Sequence, residues 1–516
     1  MKNIYQIFLK YKLLLSIISL VNVIFLKLWI FNNAFNINNY YSIIGIDYRI
    51  TILNLILFFI TSIILFYVLK FLNIKNYLIL KNFIYFILII LAFNSIRASL
   101  TINYFTINSN LKIFTLFFIL TFILLILIKF TKNFLENAFN FIGLTFFPFF
   151  IIVLFKLLFP IIFLNSYQEN NFYTELVNKD QIKNMKSDFP KRKIIWLLFD
   201  QYDYNIIKEN INQLDNFKSL SEVSDNYVNY SPNTIETIKA IPSLILSKKF
   251  DDYEYKIDEG KIMLNLIDKS SNFKKKFNGE NSIFEYLNQE NYNTYINGWY
   301  LPYCDIFKKF VYKCFQSSYA NQTTFDYYGF KNFFYFQLYN IIPGANFFIN
   351  KLKLENFYDI THSGSQFNVA KKNFLKSKKS LIFNLRDSNI NFYFLHSNIP
   401  HAPYLFDTDR NQLLKFENKN KSNYLSNLIL ADKFLGNIIY ELKKLNIFDE
   451  SIIILQGDTG LNKNYINLDA EELIGSTPLL IKRINQQKKI NISKKINTHE
   501  LADLLKSVLK NQNIRF

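Results

Sequence analysis

The sequence predicts an α-helical transmembrane N-terminal region followed by an α/β domain whose mostly parallel sheet is flanked by helices. Three observations lead there. Half of the 516 residues are hydrophobic, and the apolar ones crowd the first 165 positions. From Lys193 onward, short apolar runs of strand length alternate with helical patterns, the signature of a parallel sheet covered by helices. The run Ile194 to Phe199 is unbroken and stops on Asp200. A strand buried on both faces reads in that way, and ligands of such sheets sit just past the carboxyl ends of the strands.

The first region holds five apolar segments, near 13–31, 50–72, 77–96, 111–128 and 139–165. Each approaches or exceeds the roughly 20 residues that a helix needs to cross a bilayer. The first is too long for a simple signal peptide and lacks a small-residue cleavage site. Lysines gather before the first segment (Lys2, Lys10, Lys12), around the second loop (Lys70, Lys75, Lys81) and at the fourth (Lys129, Lys132), whereas the alternate loops hold only Arg49, Arg97 and Lys112. The positive-inside rule then sets the N-terminus in the cytoplasm, and five crossings carry everything after Asn165 outside. No charge sits at the centre of the first four segments; Lys156 in the fifth is the exception, and snorkelling to the interface accounts for it.

Residues 166–192 are polar and read as a linker. Residues 193–516 form the α/β domain, with strands expected at 194–199, 292–297, 391–396, 451–456 and 477–482. Helices are expected at 211–223, 236–247, 281–289, 421–444 and 499–510. The net charge of +19 is Lys dispersed among Asn and Ile, with no dense basic block. It argues against a nucleic-acid partner and allows attraction to anionic head groups. Cys304 and Cys314 lack a zinc spacing; in an extracytoplasmic domain they suit a disulfide.

Chemistry-bearing residues cluster at the expected strand ends. Asp200 closes the first strand. The turn Ser231-Pro232-Asn233-Thr234-Ile235-Glu236-Thr237 leads into a helix. The strand Ile452 to Leu455 runs into Gln456-Gly457-Asp458-Thr459-Gly460. Only four histidines exist. His396 and His401 bracket a proline-bounded strand end, a usual place for a binding residue. His499 opens a helix, and His362 has no motif around it and reads as surface.

Asp200 after a strand, Thr237 with Pro242 five positions on, the Pro400-His401-Ala402-Pro403 loop and Gly457-Asp458-Thr459-Gly460 together resemble the alkaline phosphatase superfamily. They are most similar to its sulfatase-like membrane enzymes, the phosphoethanolamine and phosphoglycerol transferases. The resemblance spans roughly 193–510. It implies a divalent cation, Zn or Mn, held by Asp200, Asp458, Thr237 and, with weaker support, His499. It implies Thr237 as a nucleophile that becomes phosphorylated, and His401 as a contact to the substrate phosphate or to a second metal. Thr234 is the other hydroxyl of the turn, and Thr237 fits the family spacing to Pro242 better. The implied partners are the membrane, a phospholipid donor and a cell-envelope glycan or lipid acceptor. The implied location is the bacterial cytoplasmic membrane with the catalytic domain outside. Two departures stand out. Thr459 occupies the position of a family histidine, which leaves a non-catalytic binding or scaffolding protein as the alternative reading. Thr237 to Ile241 lack the Cys/Ser-x-Pro-x-Arg pattern, so formylglycine chemistry on sulfate esters is not expected.

Overall fold

The computed structural model describes residues 2–26, 29, 48–74, 77–99, 134–163, 173–178, 193–258, 261–271, 273–317, 362–415, 421–461 and 476–510. They divide between two compact units, the helices up to residue 163 and an α/β unit formed by the rest.

The first unit contains the helices Lys2–Ile24, Tyr48–Ile74, Leu78–Ser99 and Phe134–Phe163. They pack around Ile17, Leu20, Phe58, Tyr85 and Phe139. Gly143 lets two helices approach closely, since a Cβ there would stand 2.7 Å from the Ser16 backbone. Small residues at helix crossings serve this purpose in membranes. Lys81 and Glu136 form an ion pair at 2.7 Å. Two spans, Ile52–Ile74 and Phe134–Leu158, are long and apolar enough to cross a bilayer by length and composition. Ile60, Ile64, Tyr67 and Phe71 stand exposed on the first, and Ile152 and Phe155 on the second. An exposed surface of this kind calls for apolar surroundings. Two spans rather than five therefore qualify among the described residues. The apolar parts Tyr11–Ile24 and Leu78–Phe93 are too short, and the segment at 111–128 lies outside the described residues. Lys156 is exposed on its helix.

The second unit is built on one nine-stranded sheet. From edge to edge it runs Tyr173–Val177, Lys313–Ser317, Thr294–Trp299, Phe392–Pro400, Ile194–Asp200, Ile452–Gly457, Leu479–Lys482, Asp225–Tyr227 and Ile490–Ile492. The five strands from Lys313–Ser317 to Ile452–Gly457 are parallel. Both flanks are not: Tyr173–Val177 and Leu479–Lys482 pair antiparallel with their inner neighbours. The sheet is thus mixed, parallel through its centre as expected, with antiparallel pairings at its flanks. Leu479–Lys482 is buried throughout, and a fully buried run reads the same in either direction. Tyr173–Val177 also shows that the stretch expected as a linker supplies an edge strand. A separate antiparallel sheet of three strands, Asp252–Asp258, Lys261–Asp268 and Phe273–Lys276, was not foreseen.

The central strand explains the layering. Ile194, Trp196 and Leu198 point to one face and join a core with the helices Thr237–Leu246, Ile283–Gln289 and Leu501–Lys510. Ile195, Leu197 and Phe199 point to the other and meet the helices His362–Leu385 and Tyr424–Lys444. The period of two in a strand produces this division, and burial on both faces makes the run apolar throughout. The expected disulfide is present: Cys304 and Cys314 are bonded, with 5.5 Å between their Cα atoms.

Candidate active site

Three adjacent parallel strands deliver the site. Their register pairs Phe199 with Gly457 on one side and with Ser397 on the other. Asp200, Asp458 and the segment from His396 to His401 therefore emerge at the same end of the sheet. Gly457 permits the turn that follows, since a Cβ there would come within 2.9 Å of the Tyr202 carbonyl oxygen. Gln201, directly after Asp200, has a left-handed φ of 58°. In that conformation its N–H donates to Asp458 Oδ1 at 3.0 Å, and its carbonyl accepts from the Tyr424 hydroxyl at 2.6 Å. Asp203 then caps the helix Tyr204–Glu209 through the N–H groups of Asn205 and Ile206. The strand tip is held from both sides.

Thr237 is the first residue of the helix Thr237–Leu246. Its hydroxyl donates to Asp458 Oδ2 at 2.8 Å. The other hydroxyl of the turn, Thr234, accepts the Glu236 N–H at 3.2 Å. Thr237 is thus the one that reaches a carboxylate. Asp458 Oδ1 also takes the backbone N–H of Thr459 at 2.5 Å and its hydroxyl at 3.3 Å. Thr459 is buried and acts as a clamp on Asp458.

Asp200 is 1% exposed and Asp458 is fully buried. Burial, followed by the charge of Asp458, pushes the Asp200 carboxyl well above the usual carboxylate range, and burial raises Asp458 too. Asp200 Oδ1 has no hydrogen-bond partner. No lysine or arginine pairs with either acid among the described residues. Two buried acids without a counter-charge are costly unless protonated or matched by a cation.

The histidines separate into distinct roles. His401 lies in the half-buried loop after its strand, with Nδ1 2.5 Å from the Ala402 carbonyl oxygen and its ring 5.9 Å from that of Trp299. Burial lowers its pKa. His499 Nδ1 meets the Asn233 amide at 2.9 Å, in the turn before Thr237. No described hydrogen bond or ion pair joins His499 to Asp200 or Asp458, so it is not gathered with the other expected metal ligands. His362 begins the helix His362–Leu385, and its side chain is outside the described set. The residue without an assigned role in the sequence is His396. It is fully buried, and its Nε2 stands 4.0 Å from Asp458 Oδ2. Its neighbourhood to His401 in a proline-bounded segment was the only signal. A histidine inside an apolar strand otherwise reads as core.

Among the described residues, no three His, Cys, Asp or Glu side chains gather closely enough to hold a metal by themselves. The donors nevertheless fit a cation in charge and chemistry: two uncompensated carboxylates, one with an orphaned oxygen, and a hydroxyl between them.

No family model matches the sequence, and no curated protein matches it. Solved structures do. Ps i-CgsB bound to k-i-k-neocarrahexaose matches at 15% identity and a TM-score of 0.41, over 63% of this chain and 73% of that one. A protein of the alkaline phosphatase superfamily from Vibrio parahaemolyticus matches at 12% identity and a TM-score of 0.39, over 62% of this chain and 67% of that one. The lipoteichoic acid synthase LtaP from Listeria monocytogenes matches at 12% identity and a TM-score of 0.37, over 64% of this chain and 76% of that one.

Proposed function

We propose that this chain is a membrane-anchored enzyme of the alkaline phosphatase superfamily that moves a phospho-substituent through a phosphorylated Thr237. The observation that carries the reading is the Thr237 hydroxyl, 2.8 Å from Asp458 Oδ2 and at the N-terminus of a helix. A helix N-terminus favours a phosphate group, and the adjacent acid favours loss of the hydroxyl proton.

In the first step Thr237 Oγ bonds to phosphorus while its proton passes toward Asp458 Oδ2. The bond from phosphorus to the donor's alcohol oxygen breaks, and that oxygen leaves with the proton that Thr237 gave up to Asp458; in the next step the acceptor's proton returns to Thr237. In the second step an acceptor hydroxyl, or water, attacks the phosphothreonine and restores Thr237. His401 suits this second step. Donation of Nδ1–H to the Ala402 carbonyl leaves a basic Nε2, and the lowered pKa keeps the ring neutral, ready to take the acceptor's proton. A divalent cation, Zn or Mn, held by Asp200, Asp458 and Thr237 would neutralise charge on the phospho group and lower the hydroxyl pKa.

The exposed apolar helices favour a donor that lives in the bilayer, a phospholipid, and a cell-envelope glycan or lipid as the acceptor, with the α/β domain outside the cytoplasmic membrane. The test is intact-protein mass spectrometry after incubation with phosphatidylethanolamine or phosphatidylglycerol vesicles. The expected result is a mass increment on Thr237 equal to the head-group phosphate, absent from Thr237→Ala. Wild-type protein that binds a cation and yet never carries the increment would instead support the non-catalytic binding or scaffolding role.

A further inference from the structure

His396 is buried beside the carboxylate pair, with one ring nitrogen turned toward it. The ring is held on its other edge: Nδ1 lies 2.8 Å from the Tyr303 hydroxyl, and the ring packs 5.7 Å from Trp299. Nε2 has no hydrogen-bond partner. It faces Asp458 Oδ2 at 4.0 Å, too long for a hydrogen bond, which would draw the two atoms to about 3 Å. Two donors each about 2.1 Å from a tetrahedral cation stand roughly 3.4 Å apart, so a slight inward shift accommodates an ion between them.

The neighbouring residues are shaped to keep the ring in place. Gly298 has no side chain because Tyr303 lies against it, and a Cβ there would come within 2.3 Å of that ring. Cys304, next to Tyr303, is tied by the disulfide to Cys314 on the adjacent strand. Histidines that bind metals usually have the second nitrogen fixed by such a partner.

We infer that His396 Nε2 completes the cation site, supplying from the neighbouring strand the imidazole that Thr459 cannot supply beside Asp458. The assignment rests on the proposed cation site at Asp200, Asp458 and Thr237. It requires the tautomer in which Nδ1–H donates to the Tyr303 oxygen and Nε2 keeps its lone pair.

The experiment uses the full-length chain in detergent, stripped of metal and titrated with Mn²⁺ alone. Calorimetry gives the affinity, and electron spin-echo spectroscopy detects a nitrogen bound directly to the ion. Wild-type protein is expected to show nitrogen modulation. His396→Gln should lose it and bind Mn²⁺ at least about 100-fold more weakly. Tyr303→Phe should keep the modulation and weaken binding about tenfold. The triple variant H362Q/H401Q/H499Q leaves His396 as the only histidine, and it decides the matter even where His396→Gln does not fold. Retained modulation in the triple variant supports the assignment. Its disappearance there, or its persistence in a folded His396→Gln, overturns it. In that event loss of Mn²⁺ binding in Asp458→Asn keeps the carboxylate site standing. A wild-type chain that binds no Mn²⁺ overturns the cation site and His396 together.

Discussion

Asp432 and Asp200 are both buried carboxylates of the same domain, and they are treated in opposite ways. Asp432, on the helix Tyr424–Lys444, accepts the N–H groups of Asn216 at 3.2 Å and Phe217 at 2.7 Å and the Asn216 side-chain amide at 2.8 Å. It ties one helix to the start of another. The charge of Asp225 is likewise opposed by Arg483 at 2.9 Å. Asp200 has an oxygen with no partner, and its nearest titratable neighbour is a second acid. The chain therefore can match buried carboxylates with donors or a cation, and at Asp200 it leaves one oxygen without a partner beside a second acid. A buried acid pair without a counter-charge belongs to function rather than stability.

The largest expected effect follows from the reactive side of the comparison. Thr237→Ala should lower phospho-transfer at least about a thousandfold, because the only other hydroxyl bonded to Asp458 among the described residues, that of Thr459, is buried and held on the opposite carboxylate oxygen. Thr234→Ala should change the rate far less, since its oxygen only accepts a turn N–H. Equal losses in the two variants, measured by head-group release from labelled lipid, would remove the distinction between them. The stability side comes next. Asp432→Ala should cost about 2–3 kcal/mol by chemical denaturation, because three donors lose their acceptor. Asp200→Asn should instead stabilise the metal-free protein by about 1 kcal/mol while abolishing activity. If both substitutions destabilise alike, Asp200 is a structural acid and the comparison fails.

Much of this site is legible in the sequence because strand tips are. The apolar runs that end in Asp200 and Gly457-Asp458 name their own termini, and the sheet brings them together as their order suggests. The helices that open at Thr237 and near Asn423 are marked by turn residues and apolar periodicity. What escapes has a physical reason. Strand direction at Leu479–Lys482 leaves no trace in a run buried on both faces. Tyr173–Val177 is only five residues among polar neighbours and becomes a strand through its partner Lys313–Ser317. His396 is invisible because an imidazole in an apolar strand looks like core, and only its unpartnered Nε2 beside Asp458 distinguishes it. The amide of Gln201 is invisible in principle, since any residue carries one.

The pH dependence of the metal-free protein should sharpen the contrast further. The Asp200 carboxyl is raised above 3.8 by burial and by Asp458. Its contribution is full below that value, where both states are protonated, and is lost as pH climbs through the raised folded value. His396 works the other way. Burial lowers its pKa from 6.5 to about 3, so its contribution is full above 6.5 and is lost as pH falls toward 3. Below 6.5 the two oppose each other. Above the unfolded carboxyl value Asp200 and Asp458 both act, and stability should fall with rising pH by at most about 1.4 kcal/mol per unit for each acid until its raised folded value is passed. Thermal unfolding of wild type and Asp200→Asn across neutral pH checks this, and an equal slope in both would assign the fall elsewhere. Added Mn²⁺ should flatten the wild-type slope.

The smallest effect concerns Gln201, where the strand tip adopts a conformation that side chains resist. Its φ of 58° places the N–H on Asp458 and the carbonyl on Tyr424. Gln201→Gly keeps both backbone groups and relieves about 1 kcal/mol of left-handed strain. The glycine also loosens the unfolded chain, which costs about 0.4–1 kcal/mol. Stability should thus change by less than about 0.5 kcal/mol, and activity should stay near wild type. Gln201→Pro removes the N–H and forces φ negative, so it should detach the tip from Asp458 and abolish activity. Activity lost in Gln201→Gly would place the glutamine side chain itself in the reaction. Activity kept in Gln201→Pro would show that Asp458 needs no help from the neighbouring strand.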